Sequence, residues 1–326
     1  MMVPYVLRLF FICLAAFFLV NAVLGLLVSV TSRAAIRMTE KMRARSAARF
    51  LLLLRLLPST LGFAAVLVLC IPSYLWLEPL SIPERVGWVC FALVLLAVAT
   101  VTNSFARGVR ALIASVRFNG TWQKAGRQTQ LPADRSNVVI VEKEAPLLAL
   151  AGVFQPRLFI SQSVLRALTP EELDVALQHE NAHRFSRDNL KRLLLLLAPN
   201  SIPFVPGFSL LERSWAKLSE WAADDEAVKG DSNRALSLAT ALLRVARLGA
   251  GPRLSFLHTS LVAGDHDLSV RVERLLRLEV RGAEPARRGP YLALGGVLCF
   301  AVGALALASG PTTLSTVHRL LEMFLR

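Results

Sequence analysis

Three long apolar runs separated by basic stretches constrain most strongly what this chain can fold into. The first covers about Tyr5 to Val30, interrupted only by Arg8 and Asn21; the second runs from about Leu56 to Leu77 and the third from about Val86 to Thr102. Each is long enough to carry a helix across about 30 Å of hydrocarbon. A fourth run, about Tyr291 to Ser309, has the same character. Composition agrees, since 54% hydrophobic residues and a mean hydropathy of +0.51 exceed what an ordinary soluble protein carries.

The net charge of +14 is read by position. Arg33, Arg37, Lys41, Arg43, Arg45 and Arg49 lie between the first two runs, Arg107, Arg110, Arg117, Lys124 and Arg127 follow the third, and Arg281, Arg287 and Arg288 precede the fourth. Short basic segments beside membrane spans stay in the cytoplasm. The expected protein is therefore a multi-pass membrane protein with its largest loop in the cytoplasm. Residues 1–104 hold three transmembrane helices with a basic cytoplasmic loop at 31–50, and 105–289 form a cytoplasmic domain. Residues 290–310 are a fourth span and 311–326 a short extracytoplasmic tail. Tyr74 and Trp76 suit an interfacial aromatic belt. The first run reads as an uncleaved anchor rather than a signal peptide, because its start is poor in positive charge and it continues past Val20-Asn21-Ala22. The lipid bilayer is one expected partner. Nucleic acid is not, because the basic segment Ser32 to Arg49 is flanked by membrane spans on both sides and no aromatic residues interleave it to stack bases.

Chemistry enters at His179-Glu180-Asn181-Ala182-His183, an H-E-x-x-H pattern. Thr169 as N-cap, Pro170 at the first helical position and Glu172 in a capping box predict a helix beginning near residue 170. On a helix, residues four apart share a face, so His179 and His183 can hold one metal ion. Glu180 stands next to the first ligand, where its carboxylate can act as general base on a water that the metal activates. A catalytic zinc takes a third protein ligand, and Glu220, in a helical run from about Ser209 to Val228, is the candidate. Asp224, one turn later, can accept a hydrogen bond from the outer nitrogen of a ligand histidine and fix its tautomer. Cys13, Cys70, Cys90 and Cys299 all lie in apolar runs, so neither a disulfide framework nor a cysteine metal site is expected.

Around this motif, Asn137 to Glu142, Leu147 to Ala151 and Arg157 to Ser161 read as short strands. Arg157, Leu158, Phe159 and Ile160 are expected either to form an edge strand that pairs with an extended substrate or to be a core strand. Leu193 to Leu197, followed by Pro199, Pro203 and Pro206, is too short and too broken to cross a membrane. It predicts a buried or interfacial helix resting the domain on the bilayer. Ala235 to Leu248 and Leu268 to Leu278 show helical spacing. For an oxyanion the weak candidates are His266 and Arg271, with His258 and Asp267 behind them. His318 is expected on the opposite side of the membrane.

The stretch Gly152 to Ser161, the H-E-x-x-H segment with Arg187-Asp188, and Glu220 with Ala223-Asp224 resemble the M56 family of membrane zinc peptidases. That family contains the β-lactam-sensing signal transducers and is related to the M48 peptidases. The resemblance implies a polytopic α-helical protein of three plus one spans with an inserted α+β zincin-like metallopeptidase domain. It further implies one Zn2+ per chain held by His179, His183 and Glu220, with Glu180 as catalytic base. The expected activity is endopeptidase cleavage of a cytoplasmic or membrane-associated protein, plausibly a regulator in signal transduction. An M48-like processing protease and a catalytically silent scaffold are the alternatives. The transducers carry a sensor domain after the fourth span, whereas only about sixteen residues follow it here. The trigger is therefore expected from a partner, the membrane or the short outer segments; a homo-oligomer is left open.

Overall fold

The computed structural model describes residues 4–77, 87–131, 134–142, 146–249, 258–260, 265–278 and scattered positions between 296 and 319. Three helical stretches are long and apolar enough to cross a membrane: Tyr5–Thr39, Ala44–Leu77 and Trp88–Ala125. The first is α1; the second comprises α2 (Ala44–Ala65), a π turn at Val66–Cys70 and α3 (Ile71–Leu77); the third is α4. Arg8 is buried and its Nε donates to the Tyr74 hydroxyl at 2.6 Å, as a polar group in hydrocarbon requires.

The helices outlast the apolar runs. Instead of a loop over 31–50, α1 continues to Thr39 and α2 begins at Ala44, so only residues 40–43 turn. Strong helix formers and the absence of proline or glycine between Ser32 and Arg43 permit this extension, and Ala35, Ala47, Ala48 and Leu51 pack the two helices together. Likewise α4 continues through the basic segment to Ala125.

Beyond α4 lies a five-stranded sheet: β1 (Gly126–Leu131), β2 (Asp134–Val141), β3 (Leu148–Ala151), β4 (Arg157–Ser161) and β5 (His258–Ser260). Its order is β1-β2-β4-β3-β5. Period-two alternation gives it two apolar faces. Val138, Leu148, Leu150, Leu158 and Ile160 face a core shared with the later helices, while Val139, Val141, Ala149, Ala151 and Phe159 cover Trp122 and Phe118 at the end of α4.

That order corrects the edge-strand reading of Arg157 to Ile160. Strand β4 pairs in parallel with β2 and antiparallel with β3, so both its edges are used. Leu158, Phe159 and Ile160 are buried. Their unbroken apolar character is that of an interior strand. Strands β1 and β5 had no counterpart in the sequence reading.

The remaining elements are α5 (Gln162–Ala167), α6 (Pro170–Ser186), α7 (Asp188–Leu197), α8 (Gly207–Val228), α9 (Ser232–Arg247) and α10 (Asp265–Leu278). Helices α7 and α8 form a hairpin against the apolar bundle. Leu195, Phe208, Leu211, Trp215 and Leu218 pack with Val28, Ala47 and Leu51, and Leu193 packs with Ala111 of α4. The expected fourth span, Tyr291 to Ser309, lies almost wholly outside the described residues, as does His318. Near the chain end, the Leu314 carbonyl accepts a hydrogen bond from Ser73 of α3 at 2.9 Å.

Candidate metal centre

Helix α6 starts where its cap residues dictate. The Thr169 amide donates to Glu172 at 3.0 Å, and the Glu172 amide donates to the Thr169 hydroxyl at 3.3 Å, closing a capping box with Pro170 inside the first turn. It ends at Arg187, whose left-handed φ of 54° is uncommon for a residue with a side chain. This single-residue turn starts α7 at once and swings Asp188 back under His183.

Two helices then supply the centre. His179 and His183 of α6 and Glu220 of α8 are buried and converge. Their Nε2 atoms lie 3.2 Å apart, and Glu220 Oε2 lies 3.6 Å from His179 Nε2 and 3.5 Å from His183 Nε2. The last two separations are long for hydrogen bonds. A tetrahedral ion with bonds of about 2.0–2.1 Å would hold its ligand atoms about 3.3–3.4 Å apart, which these distances approach. The outer ring nitrogens face carboxylates: His179 Nδ1 lies 3.0 Å from Asp224, and His183 Nδ1 lies 2.7 Å from Asp188. That leaves both Nε2 lone pairs for a cation. The residues present therefore fit a metal ion.

Glu180 is wholly buried, and neither carboxylate oxygen has a hydrogen-bond partner among the described residues. Burial pushes its carboxyl up to about 7, against the pull of the two histidines. Burial would lower the pKa of His183, but Glu220 and Asp188 outweigh it and hold the ring up at about 10. Asp224 shows the reverse balance: burial resists its ionisation, yet Arg271 and then His179 pull it down to about 2.

Arg271 of α10 is 3% exposed, and its Nε and Nη2 donate to Asp224 at 3.0 and 2.6 Å. Its Nη1 lies 3.4 Å from Glu220. The guanidinium is thus engaged with the two carboxylates of α8, at the edge of the candidate metal centre. The side chains of His258, His266 and Asp267 lie outside the described residues.

Two contributors escaped the sequence reading. In the sequence Asp188 is only part of a motif, but in the fold it bridges His183 and, at 2.7 Å, Lys191. Arg192 of α7 brings a guanidinium to 3.6 Å from Glu220 Oε1. The i, i+5 separation of His183 and Asp188 gives no helical cue, because the turn between them is left-handed. Arg192 looks like any basic residue beside a leucine run.

A family model described as BlaR1 peptidase M56 matches residues 7–275, most of the 326-residue chain. The chain belongs to this family. No curated protein and no solved structure matches it. As an M56 peptidase with three helices long and apolar enough to cross a membrane, it is a membrane metallopeptidase acting on a protein or peptide. Its buried His179, His183 and Glu220 can hold the metal.

Proposed function

We propose that this M56 peptidase is a zinc endopeptidase of the bacterial inner membrane that cleaves a cytoplasmic or membrane-associated protein, with a regulator of signal transduction as the substrate class. The observation that carries the reading is the pairing of a three-atom cation site with the buried, hydrogen-bond-free carboxylate of Glu180. His179, His183 and Glu220 would hold one Zn2+. When bound there, zinc would lower the pKa of water and polarise a peptide carbonyl. Glu180, whose pKa burial raises toward neutrality, accepts the proton of the attacking water and returns it to the leaving amine. Asp188 and Asp224 keep each histidine in the tautomer that presents Nε2, and Arg271 holds Asp224 in place. A silent scaffold gives Glu180 no role, whereas a hydrolytic site requires such a base.

The topology is part of the proposal. Basic residues gather at the 40–43 turn and along the far end of α4, which supports a cytoplasmic site. The contact of Ser73 with Leu314 sits at the opposite end of the second crossing, which supports a fourth span and an extracytoplasmic tail. The test of the chemistry is to purify the chain in detergent, measure bound zinc, and compare cleavage of casein or a candidate regulator with Glu180→Gln. The variant is expected to retain zinc and lose at least about 100-fold in rate, the scale of general-base catalysis. Equal cleavage by both proteins overturns the mechanism.

A further inference from the structure

The hairpin between α7 and α8 carries an inference beyond peptidase chemistry. From Leu193 to Leu211 the chain has no charged residue, while Lys191 and Arg192 stand on one side and Glu212 and Arg213 on the other. Such a stretch is as long as a membrane span, but here it folds back on itself at Ala198 to Pro206.

Its depth can be read against α1. Ser201 donates to Asn21 Oδ1 at 3.2 Å, and Asn21 Nδ2 donates to Ser59 of α2 at 3.1 Å. A Cβ on Gly25 would touch the Phe208 ring, and one on Gly207 would strike the backbone of Ser29. Crossing hydrocarbon takes about 20 residues of α1, and any such window within Tyr5 to Val30 includes Asn21. The hairpin tip is therefore level with the interior of the bilayer.

The chemistry of the tip suits that environment. Phe204 is 94% exposed, and Pro203 and Pro206 beside it are also exposed. Irregular backbone is tolerated in hydrocarbon only where its polar groups are satisfied. Pro199, Pro203 and Pro206 carry no N–H to satisfy. The Ile202 amide donates to Asn200 Oδ1 at 3.1 Å, and the Val205 amide donates to the Ile202 carbonyl at 3.3 Å. Arg55 ties the two arms of the hairpin together beside its turn. Its Nε donates to Glu212 at 2.7 Å, its Nη2 to the Ala198 carbonyl at 3.4 Å, and its guanidinium lies 4.1 Å over the Phe208 ring.

We propose that α7 and α8 form a re-entrant hairpin that dips into the bilayer and returns to the same side, with Phe204 in contact with lipid acyl chains. The occupant of the exposed tip is phospholipid hydrocarbon. The proposal rests on α1, α2 and α4 crossing the membrane and is independent of whether the chain cleaves anything.

The experiment uses the full chain in phosphatidylcholine liposomes containing a lipid with a clickable acyl tail. The photo-crosslinking amino acid p-benzoylphenylalanine replaces Phe204, Phe63 or Leu236 in separate preparations. Phe63 projects from α2 at 60% exposure, and Leu236 projects from α9 at 50% exposure. Lipid adduct at position 204 is expected to match that at 63 and to exceed that at 236 several-fold. An adduct at 204 no greater than at 236, with 63 labelled, overturns the hairpin. Failure at 63 as well removes α2 from the bilayer and the hairpin with it. The exchange at 204 is aromatic for aromatic at an exposed site, so it leaves the packing intact.

Discussion

Asp188 is buried, sits 2.7 Å from His183 Nδ1, and is shared with Lys191. Orienting carboxylates of this kind are worth about 10–100-fold in metal affinity. Asp188→Asn is therefore expected to weaken zinc binding by that factor in a competition assay with a chromogenic chelator, while Glu180→Gln leaves affinity nearly unchanged. Arg271 is the other dependency. Arg271→Leu would leave Asp224 as a buried carboxylate without its cation, at a cost of about 3–5 kcal/mol in unfolding free energy. The pair also sets a pH response in the metal-free protein. Asp224 is depressed to about 2, so its contribution is complete above the unfolded value of about 4 and is lost as pH falls toward 2. A depression of this size corresponds to about 2 kcal/mol. Thermal unfolding between pH 5 and pH 2 should lose that increment in the parent chain and not in Arg271→Leu. At this scale the sequence was informative wherever a contact is local to one helix: His179 with His183, and Glu220 with Asp224, share faces by spacing alone. It was silent on the partner of Asp188, whose approach needs a left-handed residue that is not glycine, and on that of Arg271, which lies 47 positions away.

Among the elements, the apolar helices and most later helices were legible because their periodicity is strong and uninterrupted. The strand order was not. Strand β1, Gly126-Arg-Gln-Thr-Gln-Leu, is polar and has no alternation to announce it, and β4 lies inside because β3 turns back beside it. The pairing depends on tertiary packing rather than on the residues of either strand. The element that joins the two halves of the molecule is α8. Its first turn lies against Ser29 of α1 so closely that Gly207 has no room for a Cβ, and its later turns carry Glu220 and Asp224. Gly207→Ala is expected to push α8 from α1 and to destabilise the protein by about 1–3 kcal/mol, as overpacking does. A melting curve in detergent would check this; an unchanged melting temperature would mean that the contact is loose.

For the whole molecule, the sequence distinguishes apolar from mixed stretches, because charge and hydropathy are distributed unevenly along the chain. It did not convey how deeply the two interpenetrate. The leucine run read as a helix resting on the bilayer is half of a hairpin packed against α1, α2 and α4. The metal should be separable from this framework. Helix α6 is buried through Val175, Ala176 and Leu177 against the sheet and α9, independently of the histidines. Chelation is therefore expected to abolish cleavage and lower the melting temperature while leaving the far-ultraviolet circular dichroism in place, and added zinc should restore activity. Loss of helical signal on chelation would make the ion a structural one.

Helix α8 has one further consequence, for the bench. The candidate ligand Glu220 sits on a rod whose opposite end is seated among the long apolar helices, so the solvent chosen to extract the protein bears on its inorganic chemistry. A detergent that pries Phe208 from Gly25 or Arg55 from Glu212 is expected to weaken any metal bound there without touching a single coordinating atom. Metal stoichiometry after extraction is thus a gauge of how faithfully a micelle imitates the bilayer.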